Sequence, residues 1–269
     1  MCGIAGMVDF NVNLRGKRKI LCDMVKTLER RGPDSEGLYE SENVLLGHRR
    51  LIVVDPDGGK QPMIKIVRGK KYVIVYNGEL YNTEDLRKEL LDEDFTFDSY
   101  SDTEVLLTSY IAWGIDAIKK LNGIFAFAIY DEDKQQVFLA RDPMGVKPLF
   151  YSKKGSTLVF GSEIKTVLAH PSVKAEIDRD GLTELFALGP AVSPGSAVYK
   201  GINEIAPANC MLITNDNMKV WEYWKVEARE LNETTDESVS HVRQLLIDAI
   251  RRQLVGDVPV CTFLSGGLD

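Results

Sequence analysis

Histidine and cysteine are scarce in this sequence of 269 residues, which contains three histidines and four cysteines. The cysteines, at positions 2, 22, 210 and 261, form no C-x-x-C pair, and the histidines do not cluster. Structural zinc sites and disulfide frameworks both depend on such spacing. We therefore expect no metal site and no disulfide bond, as is usual for proteins of the reducing cytoplasm.

Positive charge and long apolar runs are also in short supply. The 33 Lys and Arg residues are outnumbered by 40 Asp and Glu residues, and the net charge is -7. Such a surface repels a phosphate backbone. No apolar run approaches the roughly 20 residues that cross a bilayer, and residues 1–30 lack the apolar segment of a secretory signal. We expect no nucleic-acid partner, no membrane association and a cytoplasmic location.

What the sequence does contain is a mixture of short strands and amphipathic helices, the pattern of an α+β domain. The strands are predicted at residues 2–10, 44–46, 51–54, 72–76, 124–131, 136–141 and 221–224. Helices are predicted at residues 19–30, 82–91 and 101–113, the last opened by a capping box at Ser101 to Glu104. The 72–76 strand is predicted to end at a sharp turn formed by Asn77 and Gly78.

The character of the sequence changes near residue 230. Residues 227–238 are polar and lack an apolar period, whereas residues 239–250 have the spacing of an amphipathic helix. An apolar strand is predicted at 258–264, followed by Ser265, Gly266 and Gly267. This order is typical of the start of a doubly wound α/β domain. We expect a first domain at residues 2–226 and the beginning of a second at 227–269.

Cys2 is the first candidate for chemistry. Its small side chain allows an aminopeptidase to remove Met1 and expose it as the N-terminal residue. A free α-amine has a pKa near about 7.7 to 8.0 and a thiol near about 8.5, so the amine could take the thiol proton itself. The alternative is an incidental cysteine. The other three cysteines are interpreted as structural thiols.

Asn77 and Gly78 are the second candidate. A side-chain amide and a glycine N–H after an apolar strand could together stabilise a tetrahedral oxyanion. Asn-Gly is also a common hairpin turn, and the residues alone leave both interpretations open.

Three charged residues could bind an amino acid. Arg50 could hold a carboxylate in a bidentate fork, while Glu79 and Asp102 could hold an ammonium group. Each also has an ordinary interpretation, since surface charges are common and Asp102 could simply begin a helix.

The glycine-rich end of the chain could bind phosphate. Ser265, Gly266 and Gly267 follow an apolar strand, where backbone N–H groups can contact a phosphate. The segment lacks the lysine and loop length of a Walker motif. A generic glycine loop is the alternative.

Together these segments resemble the glutamine-dependent asparagine synthetases, whose N-terminal half is a class II glutamine amidotransferase domain. The motifs that carry the resemblance lie in order along the chain. They are residues 1–6 (MCGIAG), 31–34 (RGPD), 48–51 (HRRL), 76–82 (YNGELYN), 101–104 (SDTE), 123–127 (GIFAF), 141–149 (RDPMGVKPL), 161–165 (GSEIK) and 262–269 (TFLSGGLD).

The resemblance implies a fold and a set of roles for the first domain. The fold is the four-layer α/β/β/α sandwich of the Ntn hydrolases. Cys2 would be the nucleophile, and Asn77 and Gly78 would form the oxyanion hole. Glutamine would be held by the remaining predicted residues, Arg50, Val53, Glu79 and Asp102. The 141–149 motif, including Gly145 and Lys147, is interpreted as a structural turn.

The resemblance also implies what a complete protein of this kind would contain. Residues 262–269 are similar to the pyrophosphate loop of the ATP pyrophosphatases, and this chain would hold only the truncated start of that α/β domain. The ATP-binding residues would be Leu264, Ser265, Gly266, Gly267 and Asp269. The glutaminase reaction would need no cofactor, whereas aspartate, ATP and Mg²⁺ would serve the synthetase half, and a homodimer is compatible with the resemblance.

Two alternatives stay open at this stage. The domain could feed ammonia to a phosphoribosyl or sugar acceptor, although the Ser265 to Gly267 segment argues against that. It could also be an inactive copy used as a scaffold, although such a copy would be expected to lose Cys2 or Asn77.

Overall fold

The computed structural model describes residues 1–189 and 193–254. Their strands form two antiparallel sheets of six strands each. The first sheet has the order β10-β8-β9-β1-β3-β2, with β1 (Gly3–Val8), β2 (Ser35–Glu40), β3 (Val44–Arg50), β8 (Phe150–Lys154), β9 (Thr157–Gly161) and β10 (Asn203–Glu204). The second has the order β12-β11-β7-β6-β5-β4, with β4 (Met63–Val67), β5 (Lys70–Leu80), β6 (Gly123–Asp131), β7 (Gln136–Arg141), β11 (Asn209–Ile213) and β12 (Met218–Glu222).

The helices of the first 222 residues are α1 (Arg18–Lys26), α2 (Thr83–Asp92), α3 (Asp102–Trp113), α4 (Ile164–Leu168) and α5 (Arg179–Leu188), and a short 3-10 helix, Gly114–Lys119, follows α3. Four of these helices, α1 to α4, pack on the outer faces of the sheets, whereas Gly181 is the only buried residue of α5. Side chains of α1 and α4 share a hydrophobic cluster with the first sheet. Side chains of α2 and α3 share another with the second sheet.

A third hydrophobic cluster fills the space between the two sheets. Neighbouring residues of β5 alternate between cores, as the period of a strand requires. Val73 and Val75 face the first sheet, whereas Ile74 and Tyr76 face the helices. The order of layers is therefore helix, sheet, sheet and helix, and the predicted α+β sandwich is confirmed.

The strand that carries Asn77 and Gly78 differs from the prediction. β5 does not turn there but continues to Leu80, with Asn77 opposite Ala126 and Gly78 opposite Phe125 of β6. Pairing along the whole length of β6 outweighs the local turn preference of Asn-Gly. Because the strand alternation continues, the Asn77 side chain lies on the same face as Val75, towards the first sheet.

Several other predictions are corrected by the structure, including the strand at 221–224, because β12 runs from Met218 to Glu222. Residues 51–54 form a loop rather than a strand. The first helix ends at Lys26 instead of residue 30, and turns follow it up to Arg31. The capping box at Ser101 is half formed, because Glu104 N donates to Ser101 Oγ while the Glu104 carboxylate accepts from Ser99 N.

Beyond the sandwich, residues 225–234 have no regular structure and α6 (Thr235–Gln253) follows. Thr234 and Glu237 form a complete capping box at its start. The predicted strand at 258–264 and the predicted ATP loop lie outside the described residues. No helix in the described part of the chain is long and apolar enough to cross a membrane.

Candidate active site

Three strand ends meet at one edge of the sandwich. Gly3 of β1 pairs with Arg49 of β3, so Cys2 and Arg50 both lie at this edge of the first sheet. Asn77 faces them from β5 of the second sheet. A cavity of about 170 Å³ opens between the sheets at this point. Its lining includes all seven residues predicted for glutamine chemistry, namely Cys2, Arg50, Val53, Asn77, Gly78, Glu79 and Asp102.

The Cys2 thiol lies against the backbone of the loop that follows β3. Its Sγ donates to Leu51 O at 3.6 Å and accepts from Leu51 N at 3.4 Å. Burial raises the pKa of the Cys2 thiol above its usual value. The thiol is therefore protonated at neutral pH, and a nucleophilic reaction needs a base beside it.

Histidine does not supply that base. His48 is the nearest candidate on β3, but it is buried, and burial lowers its pKa to about 4. The ring is neutral, and its Nε2–H donates to Tyr76 O at 2.9 Å, which links the two sheets. Of the three predicted structural thiols, Cys22 and Cys210 do not line the cavity, and Cys261 lies outside the described residues.

Asn77 carries an unpaired polar group in the cavity wall. The residue is 1% exposed, and its side-chain Nδ2 has no hydrogen-bond partner among the described residues. A buried, unpaired amide donor costs about 1 to 3 kcal/mol and is rare in folded proteins. A donor of this kind in a cavity wall can bind an oxyanion at little further cost.

Gly78 lies next to this donor, and its position admits no side chain. A Cβ atom there would lie 2.4 Å from Ile124 O and 2.5 Å from the Tyr76 ring. The close pairing of β5 with β6 therefore requires glycine, and the backbone at Gly78 forms part of the cavity wall.

Arg50 reaches the cavity from the end of β3. Its guanidinium donates to Pro56 O, Val54 O and Asp55 O, which shapes the loop after β3 into a wall. These bonds use three of the five guanidinium N–H groups, so two can serve a ligand carboxylate. Val53, on the same loop, is 41% exposed.

Glu79 and Asp102 form the acidic side of the cavity. Asp102 Oδ2 accepts from Tyr76 Oη at 2.8 Å and from Leu80 N at 3.2 Å. Burial raises the pKa of both carboxyls, and the nearby Asp102 raises that of Glu79 further. Two carboxylates held close together in this way favour a bound cation, which relieves their repulsion.

The structure adds cavity residues that the sequence did not indicate. Gln61 connects the post-β3 loop to the second sheet, because its Oε1 accepts from Tyr76 N at 2.6 Å and its Nε2 donates to Thr103 Oγ1 at 3.3 Å. Lys147 also lines the cavity, although its motif was interpreted as a turn. The turn itself is present, with Gly145 at a φ of 66°.

The predicted ATP-binding residues Leu264, Ser265, Gly266, Gly267 and Asp269 lie outside the described residues. Within residues 1–189 and 193–254, no group of three or more His, Cys, Asp or Glu side chains could hold a metal ion.

Known proteins resemble this chain in two ways: some are similar in sequence, and others are similar in fold. Residues 1–224 match the glutamine amidotransferase domain family, and residues 241–269 match the asparagine synthase family. The whole chain is 54% identical to asparagine synthetase [glutamine-hydrolyzing] 3 of Bacillus subtilis and covers 44% of it. It is 33% identical to asparagine synthetase B of Escherichia coli and covers 43% of it. The chain spans less than half the length of these two relatives.

Two solved structures share the fold at low sequence identity. They are the glutamine phosphoribosylpyrophosphate amidotransferase of B. subtilis with ADP and GMP, at a TM-score of 0.60 and 18% identity, and an allosteric regulatory enzyme of purine biosynthesis, at 0.61 and 20%. Each match covers 83% of this chain and 49% of the other. With the family match over residues 1–224, this establishes that the chain belongs to the glutamine amidotransferase domain family.

Proposed function

We propose that this chain hydrolyses L-glutamine to glutamate and ammonia, with Cys2 as the N-terminal nucleophile. The observation that carries the proposal is the unpaired, buried Nδ2 of Asn77 in the same cavity as the Cys2 thiol. The oxyanion of a reaction intermediate would accept the hydrogen bond that Asn77 Nδ2 lacks.

The glutamine substrate is held at its amino-acid end. Its α-carboxylate binds the free N–H groups of Arg50, while its α-ammonium binds Glu79 and Asp102. Val53 contributes loop backbone to the same end. The side-chain amide then extends towards Cys2 and Asn77.

The reaction begins once Met1 has been removed. The free α-amine of Cys2 takes the thiol proton, and the sulfur attacks the amide carbon of glutamine. Asn77 Nδ2 and Gly78 N–H stabilise the oxyanion that forms on the amide oxygen. The Cys2 ammonium protonates the amide nitrogen as the tetrahedral intermediate collapses and the carbon–nitrogen bond breaks, so the nitrogen leaves as ammonia. Water, activated by the same amine, hydrolyses the thioester and releases glutamate.

In a longer protein this ammonia would serve an ATP-dependent amidation of aspartate to asparagine. The match of residues 241–269 to the asparagine synthase family and the greater length of the relatives support this role. We place the glutaminase domain at residues 2–226 and the start of the synthetase domain at 227–269. ATP and Mg²⁺ belong to that second domain.

The helix α6 supports this division. Its described residues include none that is buried, and its exposed aliphatic side chains need an apolar surface. The remainder of a synthetase domain is the occupant that the family match favours.

Covalent labelling by an electrophilic glutamine analogue tests the glutaminase. We expect the label on Cys2 and glutamate release by the processed chain, with both lost in Cys2→Ala. Cys22→Ala is the matched control, because it removes a thiol that does not line the cavity and should retain both.

A second arm tests the role of the free amine. A chain that retains Met1 lacks this amine and should release no glutamate, with intact mass used to verify the N-terminus. Turnover by the unprocessed chain would refute the N-terminal-amine mechanism, and the absence of labelling on a processed chain would favour an inactive scaffold.

A further inference from the structure

Two cationic side chains converge on Met1. The Arg31 Nε donates to Cys2 O at 2.9 Å, and its Nη2 lies 4.0 Å from Met1 Sδ. The Lys147 Nζ lies 3.6 Å from the same sulfur. Arg31 follows α1 and Lys147 precedes β8, so two separate parts of the first-sheet layer bring positive charge to the N-terminus. Cys2 and Lys147 line the same cavity, and Arg31 binds the Cys2 carbonyl, so both cations would stay beside the new amine of Cys2 after Met1 is removed.

The two cations differ in how their charge is balanced. Arg31 forms an ion pair with Glu163 at 3.3 Å, and Glu163 also pairs with Lys165. Lys147 is only 9% exposed, yet no carboxylate in residues 1–189 and 193–254 forms an ion pair with it. The Glu79 and Asp142 carboxylates act on it only from beyond ion-pair distance. A buried cation without a direct ion pair costs free energy, so its presence in the cavity calls for a physical reason.

The local structure does not provide that reason. The loop around Lys147 is fixed by Asp142, whose carboxylate accepts from Val146 N and from the Lys147 backbone N at 2.9 Å each. The Arg141 guanidinium adds bonds to Lys147 O and Gly145 O. These side-chain bonds to the loop backbone fix the loop, so the Lys147 ammonium is not needed to hold it and can act on groups in the cavity.

We propose that Lys147, together with Arg31, keeps the α-amine of mature Cys2 in its unprotonated, basic form at neutral pH. The proposal rests on the proposed glutaminase function. Positive charges disfavour the ammonium form of the amine and favour the thiolate of the same residue. Lys147 is thus a positioning residue. It sets the protonation of Cys2 and acts through Cys2 rather than on glutamine.

The charges around the N-terminus support this direction. Burial, Arg31 and Lys147 all lower the pKa of the Met1 amine, which occupies this place before processing, whereas the Cys2 thiolate and Asp34 raise it. Other charged groups act on the Cys2 thiol and on Lys147. Arg50 favours the Cys2 thiolate and Asp102 opposes it, while Glu79 and Asp142 favour the charged form of Lys147. Burial lowers the pKa of Lys147 itself.

The expected change in the apparent pKa is the same whether the remaining proton is on the nitrogen or on the sulfur. The amine with a thiol and the ammonium with a thiolate have the same number of protons, so the pair titrates as a unit. Nearby cations promote the loss of one proton from the pair, because that loss removes one positive charge. Removing Lys147 therefore raises the apparent pKa of the pair in either case.

The test is the pH profile of kcat/KM for glutamine in processed protein. We expect the acidic limb of Lys147→Met to move to higher pH by about one unit, the size that one nearby charge produces, with Lys147→Arg close to wild type. Lys174→Met is the control, because it removes the same charge from a side chain that is 80% exposed and outside the cavity. An unmoved limb, including a lower kcat at constant pH dependence, overturns the proposal.

A second measurement separates this proposal from the glutaminase itself. The rate of Cys2 alkylation by iodoacetamide without glutamine should show the same upward shift in Lys147→Met. If wild-type protein releases no glutamate, the proposed function fails, while the alkylation profile still tests Lys147. Identical alkylation profiles for wild type and Lys147→Met overturn the role of Lys147, and melting curves verify that both are folded.

Discussion

The cavity and helix α6 both present side-chain groups that lack a partner among the described residues, but of opposite kinds. In the cavity, the buried side-chain atom without a hydrogen-bond partner is a polar donor, Asn77 Nδ2, in a space of about 170 Å³. On α6, the unpaired groups are aliphatic side chains, each at least half exposed: Val239, Val242, Leu245, Leu246 and Ile250.

The difference indicates what each region binds. One directed hydrogen bond in a small enclosed volume suits a small molecule, whose polar atom satisfies the donor. A row of aliphatic side chains forms no directed bonds. It is stabilised only by burying its apolar area, which requires a protein surface. The first region therefore suits the proposed glutaminase site, and the second suits contact with another protein surface.

The largest effect should come from removing the polar donor. We expect Asn77→Ala to lower kcat for glutamine by about 10² to 10³, the usual cost of losing one oxyanion donor. The free energy of unfolding should stay nearly constant, because Nδ2 has no partner to lose. Steady-state glutamate release and urea denaturation measure the two quantities.

Asn82→Ala is the matched control for this prediction. The Asn82 amide donates to Lys120 O and accepts from Asn122 N, and it does not line the cavity. Its loss should cost about 1 kcal/mol of stability and leave kcat unchanged. A large loss of stability in Asn77→Ala with normal kcat would contradict the assignment of the donor to a ligand.

A smaller effect is expected at the acidic side of the cavity. Asp102→Asn should raise KM for glutamine by roughly 10- to 100-fold, since a hydrogen bond between charged groups contributes about 1.5 to 3 kcal/mol. Burial raises the pKa of Asp102, so its ionised form lowers stability at neutral pH, and this cost disappears as pH falls through the raised pKa. The variant should therefore be no less stable at pH 7.

The pH dependence of KM sharpens this prediction. The carboxylates lose their charge as pH falls, and their raised pKa values bring this loss to a higher pH than in free amino acids. Wild-type KM should rise towards acid pH, whereas Asp102→Asn should show a weaker rise that reflects Glu79 alone. An unchanged KM in Asp102→Asn would remove Asp102 from the ammonium site.

The fold could be predicted where the signal is local. Short apolar runs predicted both β6 and β7, since alternate residues of each strand face two separate cores and both sets are therefore apolar. The loop at residues 51–54 was wrongly assigned to a strand, because its aliphatic residues line a cavity beside Cys2 instead of a sheet core. Apolar composition does not distinguish these two surroundings.

The site shows the same limit. Cys2, Asn77 and Asp102 were singled out by chemical type and by resemblance, and their roles stay predictions that the variants above test. Gln61 was not singled out and Lys147 was interpreted as part of a structural turn, because both reach the cavity through contacts between distant segments. A lysine after a glycine turn looks like an ordinary surface residue until the fold buries it beside the N-terminus.

The smallest effect should come from truncating the apolar face of α6. Leu246 is 60% exposed, so Leu246→Ala should change the free energy of unfolding by less than about 0.5 kcal/mol in this chain. Leu107 of α3 is fully buried, and Leu107→Ala should cost about 2 to 5 kcal/mol. Urea denaturation of both variants measures the difference. A cost in Leu246→Ala that approaches the cost in Leu107→Ala would mean that α6 already packs against protein in this chain, and the contrast between the two regions would then be wrong.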